Sequence, residues 1–149
     1  MSIDHSDKFS FRAAAFLVLK KEGKILLSLR KNTKHEDGKY GFVAGHLDGS
    51  ETAQEAIVRE AKEEANIEIY TEDLEVVHVS HNKSSDGIEY FQVYLTPKRW
   101  NGEIRNLEPE KCGDLSWFPI AGLPENTIEY IREVLGHIEM GQFYSNYGW

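Results

Sequence analysis

The 149-residue chain has one cysteine, Cys112, so it cannot close an internal disulfide. A disulfide-stapled fold is excluded, and a lone thiol fits a reducing cytoplasm, the expected location. No apolar stretch approaches the ~20 residues that cross a bilayer, and residues 1–11, MSIDHSDKFSF, have no basic head followed by an apolar run. Neither a membrane span nor a secretory leader is expected. Basic residues are outnumbered, 17 Lys and Arg against 25 Asp and Glu, for a net charge of −8. So acidic a chain is not expected to hold nucleic acid by bulk electrostatics; an anionic ligand must be received locally, by a cation or a few arginines. Repeats, low-complexity segments and linkers are also lacking, so residues 1–149 are expected to form one domain with a sizeable core.

What the chain does have is concentrated between Gly45 and Ile67, GHLDGSETAQEAIVREAKEEANI. At about 100° per residue, Glu60 and Glu64 stand a turn apart on one face of a helix with Glu63 beside them. Three like charges in one stripe repel and call for a cation. A hard divalent ion is the natural one, because magnesium takes oxygen ligands and is commonly held by carboxylates together with substrate phosphates. The opposite face, Ala53, Ile57, Val58, Ala61 and Ala65, is small and apolar, suited to lying close on a sheet. Thr52 and Glu55 form a capping-box pattern at the helix start, Gly45 and Gly49 allow a tight preceding loop, and Asn66 can supply a left-handed stop. A merely solvated charged helix face would explain neither Gly45 nor the Glu51 to Arg59 spacing.

Gly45, five residues, Glu51, seven residues, then Arg59-Glu60-Ala61-Lys62-Glu63-Glu64-Ala65-Asn66-Ile67 resembles the Nudix box, the signature of hydrolases acting on a nucleoside diphosphate linked to another group. Ala61 is smaller than usual for its position, and Asn66 replaces the Gly that normally ends the helix. Neither departure touches a carboxylate. The resemblance implies an α/β fold, the Nudix-type α/β/α sandwich with a mixed sheet between helices. It implies Mg2+ as cofactor, with Mn2+ as the other candidate, and Glu60, Glu63, Glu64 and a backbone carbonyl near Gly45 as metal ligands. Arg59 and Glu51 are expected to form a salt bridge that fixes the loop against the helix.

Elsewhere, RAAAFLVL from Arg12 and the run Ile25–Leu29 read as a hairpin turning at Glu22-Gly23. Arg30, just past the second run, is a substrate-phosphate candidate by resemblance. Residues 32–39 read as a polar loop beside the site. Residues 40–47 suit one short strand entering the glycine loop; His46 is expected to face surface or substrate rather than act chemically. Residues 75–80 and 89–96 read as strands joined by a turn at Lys83–Gly87. His78 and His81, three apart on a strand, point to opposite faces and do not form a metal pair. Ile128, Ile131, Leu135 and Ile138 predict a second helix over residues 125–140. The aromatic tail GQFYSNYGW is expected to pack on the domain.

Asn106-Leu107-Glu108-Pro109-Glu110-Lys111-Cys112, with Trp117-Phe118-Pro119 beyond it, is similar to a segment of the MutT-like subgroup that clears modified nucleoside triphosphates. The resemblance implies an acid here near the metals, with Glu110 expected over Glu108. It also makes Trp117, expected to open the last strand, a substrate-binding candidate. The leading expectation is hydrolysis of a nucleoside triphosphate to monophosphate and pyrophosphate, with one of Glu60, Glu63, Glu64 or Glu110 assisting the water. ADP-ribose, a nucleotide sugar or a dinucleoside polyphosphate is the alternative substrate class, and a non-catalytic nucleotide-binding module the alternative of another kind. Homodimers are frequent in the family, although no residue here establishes one.

Overall fold

The computed structural model describes residues 7–149. Its first strand, β1 (Arg12–Leu17), shows how the layers form. Successive side chains of a strand alternate faces, and here both faces are apolar. Ala14, Phe16 and Val18 enter one core cluster, while Ala15, Leu17 and Leu19 enter the other. A strand buried on both faces must lie between two covering layers. These are α1 (Ala53–Ala65), which contributes Ile57, Ala61 and Ala65 to one cluster, and α2 (Glu129–Glu139), which contributes Ile131, Val134 and Leu135 to the other. This is the expected mixed-sheet sandwich.

The strands divide between two sheets. β5 (Ala44–His46), β1, β7 (Glu89–Pro97), β6 (Leu74–Lys83) and β9 (Tyr144–Tyr147) lie in that order in the first. Its β1–β7 and β6–β9 pairs are parallel, and β1–β5 and β6–β7 are antiparallel. The second joins β2 (Lys20–Lys21), β3 (Lys24–Arg30), β4 (Tyr40–Gly41) and β8 (Cys112–Pro119), with β8 and β4 both pairing with β3. The β2–β3 hairpin turns at Glu22 and Gly23, both at positive φ, as expected.

Three boundaries differ from the sequence reading. Residues 40–47 are two strands in different sheets, because Phe42 and Val43 between them insert into opposite core clusters and carry the chain from one sheet to the other. Helix α2 starts at Glu129 rather than 125. Residues before it are held in a turn, Thr127 N–H to Pro124 O at 3.1 Å, and Ile128 N–H donates to Tyr40 O at 2.9 Å. Trp117 does not open the last strand; it lies well inside β8, opposite Leu26, and packs with Trp100 at 6.2 Å between ring centroids. The last strand is made by the aromatic tail, which adds β9 to the outer edge of β6.

That edge is fastened by histidine. His78, fully buried, makes 2.8 Å hydrogen bonds to Gln142 O through Nδ1 and to Ser145 Oγ through Nε2. Its ring stacks on His137 of α2. His81 lies on the other face, against Phe91 and Glu89, so the two histidines form no metal pair. Tyr147 meets Tyr130 of α2, and Trp149 meets His81.

Candidate active site

Helix α1 starts where its capping box says. Thr52 Oγ1 accepts from the Glu55 amide and Glu55 Oε1 from the Thr52 amide, each at 3.1 Å, an arrangement that stabilises a helix start by about 1 kcal/mol. It stops at Asn66, in the left-handed region at φ 61°, whose amide donates to Ala61 and Lys62 carbonyls. Asn66 Nδ2 also donates to Glu103 O at 2.9 Å, a tie that glycine at this position would lack. The carboxylates therefore sit on a helix fixed at both ends, with its alanine face against the sheet.

Arg59 organises them. Its Nε and Nη2 grip Glu51 Oε2 and Oε1 at 2.8 and 3.0 Å, a two-pronged pair joining the loop before the helix to the helix itself. This is the expected loop-to-helix bridge. Hydrogen bonding from Arg59 holds the Glu51 carboxyl below its usual range, and Glu51 raises Arg59 in turn. The remaining Nη1 reaches Glu60 Oε1 at 2.8 Å and Glu63 Oε2 at 3.3 Å. Glu63 is drawn outward to this guanidinium and is half exposed, whereas the Glu60 side chain is only 15% exposed.

Glu60 fits because position 45 has no side chain. A Cβ on Gly45 would stand 2.5 Å from Glu60 Oε1 and 2.6 Å from its Cδ, closer than real atoms approach. Beside it stands Glu64, whose carboxyl is acted on by Glu60 and, in the opposite sense, by the Ala44 backbone. Burial pushes its carboxyl well above the usual range, and the charges of Glu60 and Glu108 push it further.

Strand pairing explains why Ala44 takes part. Leu17 N–H donates to Val43 O, and Leu47 N–H to Ala13 O, so the odd-numbered residues of this segment face β1. By antiparallel alternation the peptide groups of Ala44 and His46 point to the open edge of β5. The Ala44 peptide group is therefore the one left free of β1 to act on Glu64, and the contribution of Gly45 is room.

Of the other candidates, Glu110 is exposed and its backbone carbonyl accepts from Asn32 Nδ2 at 2.9 Å; the acid whose charge reaches Glu64 is Glu108. Leu107 N–H donates to Glu64 O at 3.1 Å, and Glu108 N–H to Asn106 Oδ1 at 3.1 Å, docking this loop on the end of α1. Asn106, two residues before Glu108, and Pro109 after it were the available signals of a fixed turn. Arg30 donates Nε to His35 O at 3.1 Å, inside its own loop. Trp117 is half-buried and packs against the α1-side core.

Among the described residues no three acidic, histidine or cysteine side chains are arranged to hold a metal ion. Arg59 Nη1 meets Glu63 as well as Glu60, so all three charged groups of the stripe's near end are tied to one another. The chemistry of the pair nevertheless fits a hard divalent cation: Glu60 raises the proton affinity of Glu64, Glu108 adds its charge, and every donor is oxygen.

The sequence model of the NUDIX domain matches residues 10–137. The chain belongs to the Nudix family. Membership makes it a hydrolase of pyrophosphate bonds in small nucleotide substrates, of a kind that generally uses divalent metal ions such as Mg2+. Among solved structures it is similar to a MutT Nudix hydrolase from Burkholderia pseudomallei, with 26% identity, a TM-score of 0.78, and coverage of 86% of this chain and 98% of that one. A MutT protein from Methanosarcina mazei shares 17% identity at a TM-score of 0.75, over 91% of this chain and 97% of that one. An ADP-ribose pyrophosphatase from Streptococcus suis shares 15% identity at 0.61, over 93% and 100%. These last two likenesses concern the fold. No helix among the described residues is long and apolar enough to cross a membrane.

Proposed function

We propose that this Nudix protein is a magnesium-dependent pyrophosphohydrolase of nucleoside triphosphates, releasing a nucleoside monophosphate and pyrophosphate, with oxidised or otherwise non-standard bases among its substrates. The observation that carries the reading is the half-buried Glu60–Glu64 pair at the Ala44 edge, beside the charge of Glu108 and braced by Arg59 on Glu51. Glu60 and Glu64, with Glu63 from the same stripe, would hold the cation. When bound, such an ion supplies charge neutralisation for phosphate oxygens and a more acidic water.

The chain's own residues do the rest. Arg59 positions Glu60 by bridging it to Glu51, so the carboxylate keeps one place rather than several. Glu108 faces the pair from the opposing loop, where a carboxylate can orient or deprotonate a water. The triphosphate class rests on the resemblance of the Leu107–Cys112 segment, which supports it over the ADP-ribose class carried by the Streptococcus suis neighbour.

Product analysis tests the reading. The protein with Mg2+ is given canonical and oxidised nucleoside triphosphates, ADP-ribose and nucleotide sugars, and products are resolved by ion chromatography. Monophosphate and pyrophosphate from triphosphates are expected. Turnover confined to ADP-ribose or nucleotide sugars overturns the substrate class, and nucleotide binding without turnover overturns the enzymatic reading for these substrates.

A further inference from the structure

The first sheet has two edges: β5, which adjoins the carboxylates, and β9 on the far side. Val79 N–H donates to Phe143 O at 2.8 Å, and Val79 stands opposite Tyr144. By strand alternation the peptide groups of the odd-numbered tail residues face β6, so the N–H and C=O groups of Tyr144 and Asn146 point outward. Among the described residues, no backbone hydrogen bond meets them from that side. Unpaired groups in a row along an edge are a template for a further strand.

Exposed edges are commonly guarded by a charge, a proline or a bulge. β9 has none of these. Residues 140–149, MGQFYSNYGW, carry no charged side chain and no proline in a chain that is 28% charged, and the register of β9 with β6 runs without a shift. Phe9, Met140, Phe143, Tyr144 and Trp149 are each more than half exposed. Trp149 is exposed yet held: its Nε1 donates to His81 O at 3.1 Å, and Lys83 Nζ stands 5.2 Å over its ring. From Trp149 the rings run on through His81 and Phe11 to Phe9, with centroids 4.8, 5.6 and 5.0 Å apart. At roughly 150–250 Å² per aromatic side chain, the four exposed rings offer on the order of 400 Å². That is about half of what each partner gives to a standard interface, ~800 Å², before the strand edge, Phe11 and Met140 are added.

We propose that β9 is a homodimer interface, at which a second copy of the chain adds its own β9 in antiparallel pairing. The two-fold axis passes at Ser145, and Tyr144 of each copy exchanges both backbone hydrogen bonds with Asn146 of the other. The same residues serve both sides, as a two-fold contact requires. Charge favours this edge for a second copy: two chains of net charge −8 repel, and the uncharged tail is where they approach at least cost. Because β5 is the opposite edge, the carboxylates stay open in both copies.

Sedimentation equilibrium over a concentration series reads the mass, and hydrogen exchange followed by NMR over the same series reads the edge. Wild type is expected to approach twice the 17.1 kDa chain mass as concentration rises, with the Tyr144 and Asn146 amides gaining protection over that range. The Ser145 and Tyr147 amides face β6 and are expected to be protected throughout. Tyr144→Lys, at an exposed edge position, is expected to raise the dimer Kd about tenfold or more, as loss of a central interface aromatic does. Tyr70→Lys, similarly exposed but away from the tail, is expected to leave it unchanged. A wild type that stays monomeric overturns the proposal, as does a dimer in which the Tyr144 and Asn146 amides exchange as freely as in the monomer. A dimer indifferent to Tyr144→Lys overturns it too. None of these readouts needs turnover, so the outcome stands apart from the substrate reading.

Discussion

Gly45 and Glu60 occupy one another's space: a methyl group on the glycine would lie 2.5 Å from the Glu60 carboxylate. The backbone at Gly45 has no unusual φ, so any effect of a side chain there is steric. Glu60 can swing aside at little cost to the fold, but then leaves its place beside Glu64. Gly45→Ala is expected to keep its melting temperature within a few degrees and lose roughly a hundredfold in kcat/KM, the usual cost of misplacing a reacting group by an ångström. Thermal melts and steady-state rates on the same preparation check both halves.

Arg59 reaches three glutamates with one planar group. A lysine could keep the charge but not the two-pronged hold on Glu51 while also meeting Glu60. Arg59→Lys is therefore expected to behave like Arg59→Ala, with activity down about 10- to 100-fold and little change in stability, because the pair is partly exposed. Near wild-type activity in Arg59→Lys would show that charge alone suffices.

Glu108 and Glu110 stand two residues apart and are separated by Pro109, yet it is Glu108 whose charge stands among the causes that raise Glu64. Glu108→Gln is expected to cut kcat by about tenfold or more, and Glu110→Gln to leave it within about twofold, as exposed substitutions away from a site do. The reverse order would restore the acid expected from sequence.

His78 ties the tail strand to the domain, and burial, with the neighbouring His137 adding to it, lowers its pKa below 6.5. The unfolded chain then binds a proton that the folded chain refuses. Stability contributed by the neutral ring is present above about pH 6.5 and is lost as pH falls from there toward the depressed folded value. Facing it are His137 on α2, Tyr94 on β7, and Gln142 and Ser145 of the tail. The protection of residues 142–147 against hydrogen exchange, taken relative to the intrinsic rate at each pH, is expected to fall between pH 7 and pH 5.5, ahead of global unfolding. Tail protection factors that stay constant across that range would remove His78 as the clasp.

How much of this was legible in the sequence varies with distance along the chain. The ends of α1 were, since Thr52, Glu55 and Asn66 act on backbone groups within a turn. The Arg59–Glu51 bridge was as well, because two turns of helix and a short loop fix it. Ala44 was not legible, since which peptide groups face the open edge depends on the parity of pairing with β1, and parity has no side-chain signature. Nor was β9: the aromatic tail announced burial, but its parallel partner β6 lies about 65 residues away, and the clasp depends on His78 meeting Gln142 and Ser145 in space. Glu108 was preferable to Glu110 only through the docking of its neighbour Leu107 on Glu64 O, which is likewise a contact between distant segments.

The most direct test compares pyrophosphate release from a nucleoside triphosphate with Mg2+ by wild type and Glu64→Gln. Glu64 is a half-buried acid that feels two other carboxylates, so replacing it with an amide is expected to preserve or raise the melting temperature. Magnesium-dependent release is expected in wild type and should fall by about a hundredfold or more in the variant. A folded Glu64→Gln protein that releases pyrophosphate at the wild-type rate would contradict the assignment of this carboxylate pair as the reaction centre.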